Sequence, residues 1–128
     1  MTSTNHPLPD ISDRCDLETL MAAFYQRLLT DEKIAYIFTD VAKIDLAAHL
    51  PHIVDFWEQN ILHTGSYRNN VLKIHQDLNA KSALTATHFK TWIGHFNDTV
   101  DAHFHGEKAE LIKTRALSVA TVMQIKLG

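Results

Sequence analysis

Cysteine is nearly absent from this chain: Cys15 is the only one in 128 residues. That excludes an intramolecular disulfide and any zinc or iron–sulfur centre built on several thiolates, and it makes a reducing cytoplasm the expected home. Long apolar runs are also missing. No stretch nears the roughly 20 residues that cross a bilayer, and residues 1–9 (MTSTNHPLP) lack both a basic segment and an apolar signal core. A soluble, unexported protein with no membrane partner is expected. Basic charge is not concentrated anywhere. The 12 Lys and Arg are scattered against 15 Asp and Glu for a net charge of −3, so the electrostatic footprint of a nucleic-acid binder is lacking. No segment sustains an alternation of period two, which argues against strands, and the chain has no internal repeat.

What the chain does have is one ordinary domain's worth of apolar residues, 45% hydrophobic with 21% charged, enough for a single core without a covalent staple. It also has nine histidines. Histidine ligates metals and titrates near neutrality, so the count raises the expectation of a metal or cofactor site without locating it.

Residues 1–12 carry all but one of the prolines and no helical period, which reads as a flexible N-terminal arm ahead of a folded domain over 13–128. Leu17, Leu20, Met21, Phe24 and Leu28 recur at three- and four-residue steps, predicting a helix of about four turns with Asp13 or Asp16 as its cap. Tyr25 falls at the edge of that stripe, about 100° from Phe24. One or two turns are expected over 32–38, ending at Phe38. A second long helix is read from Leu50, Ile53, Val54, Phe56, Trp57 and Ile61; Pro51 would place its start near Ala47 or Ala48, so that the missing amide falls in the first turn. Residues 63–70 are polar and turn-rich. Phe89, Trp92, Ile93, Phe96, Val100 and Phe104 predict a helix capped by Thr85 or Thr87 and closed by Gly106, and Leu111, Ile112, Ala116, Val119, Val122 and Met123 predict a last one. The fold class is all-α, either a bundle or a crossed helical sandwich.

His75 follows the apolar turn Val71-Leu72-Lys73-Ile74. A neutral imidazole binds iron through one ring nitrogen while an acceptor holds the other, and carbonyls near Leu72 or Val71 could serve. The plain alternative is a core histidine satisfied by backbone. Tyr25 and Trp92 bring polar tips to apolar stripes, which suits either pocket donors or stripe-edge and core filling; His49 could line a pocket, swing outward as a gate, or stand exposed to solvent. His49 and His52 with Asp55, or His103 and His105 with Glu107, offer a non-haem metal reading, but His103 and His105 lie about 200° apart on a helix and no Glu-x-x-His pair is present.

Taken together, Phe24-Tyr25, Phe38, His49-x3-Ile53-x2-Phe56-Trp57, Leu72-x2-His75-x2-Leu78 and Phe89-x2-Trp92 resemble, in order and spacing, the truncated haemoglobins, and within them the third group. The resemblance runs from Asp13 to Met123. It departs at the loop before the ligand helix, where the family's Gly-x-Tyr-x-Gly-x-Pro reads Gly65-Ser66-Tyr67-Arg68-Asn69-Asn70-Val71.

The resemblance implies a truncated globin fold, a 2-on-2 helical sandwich around a b-type haem. His75 would be the proximal iron ligand, and Tyr25, Trp92 and His49 would line the distal side. Phe38, Ile53, Phe56, Trp57, Leu72, Leu78, Phe89 and Phe96 would form the apolar cage. His52, Tyr67, Arg68 and Lys73 are candidates for meeting the propionates, since donors and cations at a pocket mouth stabilise carboxylates; a solvated face is the alternative for each. The implied function is binding of oxygen or another diatomic gas ligand. The alternatives are a haem enzyme that removes nitric oxide or peroxide, which would need an external reductase, and a cofactor-free helical interaction module. A monomer is expected.

Overall fold

The computed structural model describes residues 8–43, 45–63 and 84–127. Among these are five α-helices and two π-helical turns, and no strand.

Helix α1, Arg14–Leu29, begins where the Asp13 carboxylate accepts from the Asp16 amide at 3.0 Å, satisfying one of the orphan donors of the first turn. Its apolar stripe is the spine of the core: Leu17, Leu20, Met21 and Leu28 are fully buried, with Phe24 and Tyr25 beside them. Asp31 caps the short α2, Glu32–Tyr36, which runs into a π-helical turn at Ile37–Val41. That turn presents Phe38 edge-on to Tyr25, 5.6 Å between ring centroids.

Helix α3 spans Leu46–Trp57, one to two residues earlier than Pro51 suggests. The Asp45 side chain accepts from the Ala47 amide at 3.1 Å, and its carbonyl accepts from Ala48 and His49. This cap starts the helix regardless of the proline. Pro51 therefore lies inside α3 and leaves the Ala47 carbonyl without a helical donor, at a residue exposed to water. A second π-helical turn, Glu58–Leu62, follows α3 and ends at His63 in the left-handed region, φ 60°.

Thr85 caps α4, Ala86–His103, in a reciprocal box with His88. Gly106 does not close α4 as expected. The helix stops at His103 because Phe104 turns extended, φ −141°, and is buried, while Gly106, φ +146°, opens α5, Glu107–Leu127. A Cβ at Gly106 would meet Asp10 Cγ at 2.5 Å, so this position needs glycine twice over. Along α5 the buried stripe is Ala109, Ile112, Ala116, Ala120 and Met123; Val122, expected in it, faces solvent.

Helix α1 packs on both α3 and α4, and α4 packs on α5, which makes a helical sandwich of α1 and α3 on α4 and α5. The segment expected as a loose arm is tied down over its last residues. Asp10 accepts from the amides of Lys108 and Ala109, both at 2.9 Å, His105 donates to the Pro9 carbonyl at 2.9 Å, and Ile11 is buried. No described helix is long and apolar enough to cross a membrane.

Candidate functional site

Helices α1 and α3 run antiparallel, so the C-terminal half of α1 faces the N-terminal half of α3. This brings the Tyr25 hydroxyl to 2.9 Å from His49 Nε2, with the rings 5.3 Å apart and inclined at 67°. Tyr25 is 4% exposed, and burial pushes its hydroxyl well above the ordinary phenol range. It stays protonated at any physiological pH and remains a donor.

The pair has two proton arrangements. Tyr25 donates to a bare Nε2, or Nε2–H donates to the phenol oxygen and leaves the Tyr25 proton for a third group. The second arrangement gives the site a hydrogen-bond donor aimed by a neighbouring ring.

Around this pair the aromatic side chains form a continuous set. Phe24 lies edge-on to Tyr25 (5.5 Å), to Trp92 (5.5 Å) and to Phe96 (5.0 Å). Trp92 stacks on Phe96 at 5.4 Å and 27°, and Trp57 packs on Phe96 at 5.4 Å. Such contacts add to area burial and fix ring orientation. Trp92 is half-buried, so one side of the indole rests on the core while the remainder faces outward.

The structure thus brings together Tyr25, His49, Phe38 and, through Phe24, Trp92. Phe96 and Trp57 are packed into the core behind them, 1% and 3% exposed. Ile53 and Phe56 are half-buried against the same core, and Phe56 meets Trp57 at 4.9 Å. Phe89 is half-buried on the first turns of α4, and His52 is exposed on α3. His75, Tyr67, Arg68, Leu72, Lys73 and Leu78 lie outside the described residues. Among the described residues no group of three or more His, Cys, Asp or Glu is arranged to hold a metal, and the His49/His52/Asp55 and His103/His105/Glu107 readings find no support there.

Sequence reasoning missed several polar ties that hold these elements. Arg14, at the head of α1, reaches Asp55 at 2.6 Å and Glu58 at 3.0 Å. His95 meets Asp31 at 2.7 Å. Tyr36 lies 2.8 Å from His88 Nε2, and because His88 Nδ1 accepts the Thr85 amide at 3.1 Å, the neutral ring carries its proton on Nε2 and donates to Tyr36. Each pair spans elements far apart in sequence, and only the amphipathic spacing of Asp55 and Glu58, three apart on one face, hinted at a shared cation.

No family model matches the sequence. The chain is 26% identical over 108 residues to group 3 truncated hemoglobin ctb of Campylobacter jejuni, covering 82% of this chain and 83% of that protein. Its fold superposes on a crystal structure of group III truncated hemoglobin from Campylobacter jejuni with a TM-score of 0.83, at 23% identity, over 92% of this chain and 93% of that one. The chain has the fold of a truncated haemoglobin and, in sequence and in structure, resembles the third group of that family.

Proposed function

We propose that this chain is a group III truncated haemoglobin that holds a b-type haem through His75 and binds oxygen or another diatomic gas ligand on the opposite face. The observation that carries the reading is the part-buried Tyr25–His49 pair, 2.9 Å apart beside Phe24 and Phe38. A hydroxyl kept protonated by burial, an imidazole and an indole are the donors that a ligand of partial negative charge requires. Half-buried Phe38, Ile53, Phe56 and Trp92 supply the flat apolar surface that a macrocycle requires. The residues present therefore fit the group.

When bound, haem supplies an iron that accepts the gas; the rest of the chemistry belongs to this chain's side chains. Tyr25 would donate a hydrogen bond to a bound ligand, keeping its proton, when His49 Nε2–H supports it from behind. Trp92 offers a second donor, its indole nitrogen having no hydrogen-bond partner among the described residues. Beside the apolar rings of Phe24 and Phe38 such bonds are stronger than in water and retard ligand escape. The assignment of His75 to the iron rests on its sequence setting, Leu72-x2-His75-x2-Leu78, and the likeness to a named truncated haemoglobin supports reading that setting as a globin's. The conversion of nitric oxide or peroxide, with an external reductase, would draw on the same donors.

The test is an absorption spectrum of protein expressed with haem supply, taken ferric, reduced, and reduced under carbon monoxide. A Soret band that shifts on carbon monoxide addition is the expected result. A colourless protein that refuses added haemin overturns the reading in favour of a cofactor-free helical module.

A further inference from the structure

Helix α3 carries His49, Ile53, Phe56 and Trp57, yet Pro51 deprives its first turns of the hydrogen bond that the Ala47 carbonyl would accept. A helix interrupted in this way does not fix the rotation of its first turns from its own ladder. Its bearing on α1 must come from ties to other elements.

Among the described residues two polar ties join α3 and its following turn to α1, and they sit at opposite ends. Tyr25 meets His49 near the start of α3. Arg14 meets Asp55 and Glu58 at its end, through one guanidinium nitrogen at 2.6 and 3.0 Å. Glu58 is 16% exposed at its side chain, so this is not a fully solvated pair, and a single Arg14 nitrogen holds two carboxylates on successive turns at once. Lys108 pins the same end by donating to the Ile61 carbonyl at 3.1 Å.

We infer that Arg14 is a positioning residue for the ligand-facing side of the site: its bridge to Asp55 and Glu58 sets how α3 lies on α1, and thereby holds His49 Nε2 at bonding distance from the Tyr25 hydroxyl. Arg14 meets α3 at the end opposite His49. It acts along α3, with Pro51 as the point where the first turn yields when the far end is released. The optical half of the test rests on the haem reading above; the magnetic-resonance half does not.

Arg14→Ala is compared with Tyr25→Phe, and with Lys113→Ala as a control that removes a similar three-member ion cluster, Lys113 with Asp101 and Glu110, on α4 and α5. In the carbon monoxide complex, Arg14→Ala should move the C–O stretching band toward its position in Tyr25→Phe, while Lys113→Ala leaves it in place. With or without haem, the Tyr25 hydroxyl proton should exchange faster in Arg14→Ala and not in Lys113→Ala, and the His49 Nε2 nitrogen resonance should shift in Arg14→Ala toward its position in Tyr25→Phe while staying in place in Lys113→Ala. Should Arg14→Ala not fold, Asp55→Asn combined with Glu58→Gln removes the same tie from the acidic side and must reproduce the shift. An unmoved band together with an unchanged Tyr25 proton in either variant overturns the inference. A colourless protein in which the Tyr25 proton still responds would defeat the haem reading and leave the role of Arg14 standing.

Discussion

The Tyr25 hydroxyl and the His49 Nε2 nitrogen, 24 residues apart in sequence, lie 2.9 Å from each other where α1 and α3 cross. One phenol and one imidazole sharing a proton inside an aromatic wall form a donor whose direction is set by its neighbour. Several measurable consequences follow from that arrangement and from the ties that hold it.

Tyr25→Phe removes the hydroxyl and keeps the ring against Phe24 and Phe38. Loss of one hydrogen bond in an apolar pocket is worth about 1–2 kcal/mol, so oxygen release should accelerate by roughly 5- to 30-fold. Stopped-flow dissociation of the oxygen complex checks this. An unchanged rate would remove Tyr25 from the ligand.

Trp92→Phe keeps an aromatic stack on Phe96 and discards only the indole N–H and one ring. Stability should fall by about 1–2 kcal/mol at most, in keeping with a tolerated hydrophobic swap at a half-buried site, while ligand release again speeds up. Release and chemical denaturation measured on the same variant separate the donor from the packing.

Asp10→Ala should destabilise the fold although Asp10 is far from the site. Burial opposes its ionisation, but amide donors from Lys108, Ala109 and Ile11 and the Lys108 charge outweigh that and hold its carboxyl below the usual carboxylate range. The residue caps α5 from the other end of the chain, and removal of such a cap costs about 1–2 kcal/mol. Thermal unfolding should report a drop of several degrees.

How much of this was legible in the sequence depends on whether the cause is local. The α1 stripe was readable because each of Leu17, Leu20, Met21, Phe24 and Leu28 obeys the helical period, and Asp13 and Thr85 were readable as caps because capping acts over three residues. Pro51 points to too late a start for α3, because Asp45, whose side chain and carbonyl together begin the helix, sets it instead. Gly106 reads in sequence as the end of α4, whereas its constraint is the approach of Asp10 from the remote N-terminal segment. Tyr25 and His49 were each singled out, but their bond depends on the antiparallel crossing of two helices, and Arg14 with Asp55 and Glu58 went unseen for the same reason. Neither the ring partners of Phe38 nor the π-helical turn that aims it has a signature of period.

The His95–Asp31 pair predicts a pH dependence. The hydrogen bond from His95 and that from the Lys33 amide hold the Asp31 carboxyl below its ordinary value of 3.8. A carboxyl depressed on folding gives stability that is present above the unfolded value and is lost as pH falls through the folded one. Acid unfolding below about pH 4 should therefore be less steep in Asp31→Asn than in the parent chain. Identical acid limbs in urea titrations across pH 2–5 would show that the pair contributes nothing.

The central claim, that His75 holds a haem iron opposite the Tyr25–His49 pair, is tested most directly by His75→Gly with and without added imidazole. The variant should lose the five-coordinate reduced spectrum of the parent and regain it when free imidazole fills the vacated position. A His75→Gly protein that keeps the parental reduced and carbon monoxide spectra without imidazole would contradict the claim and send the search for the iron ligand to another histidine.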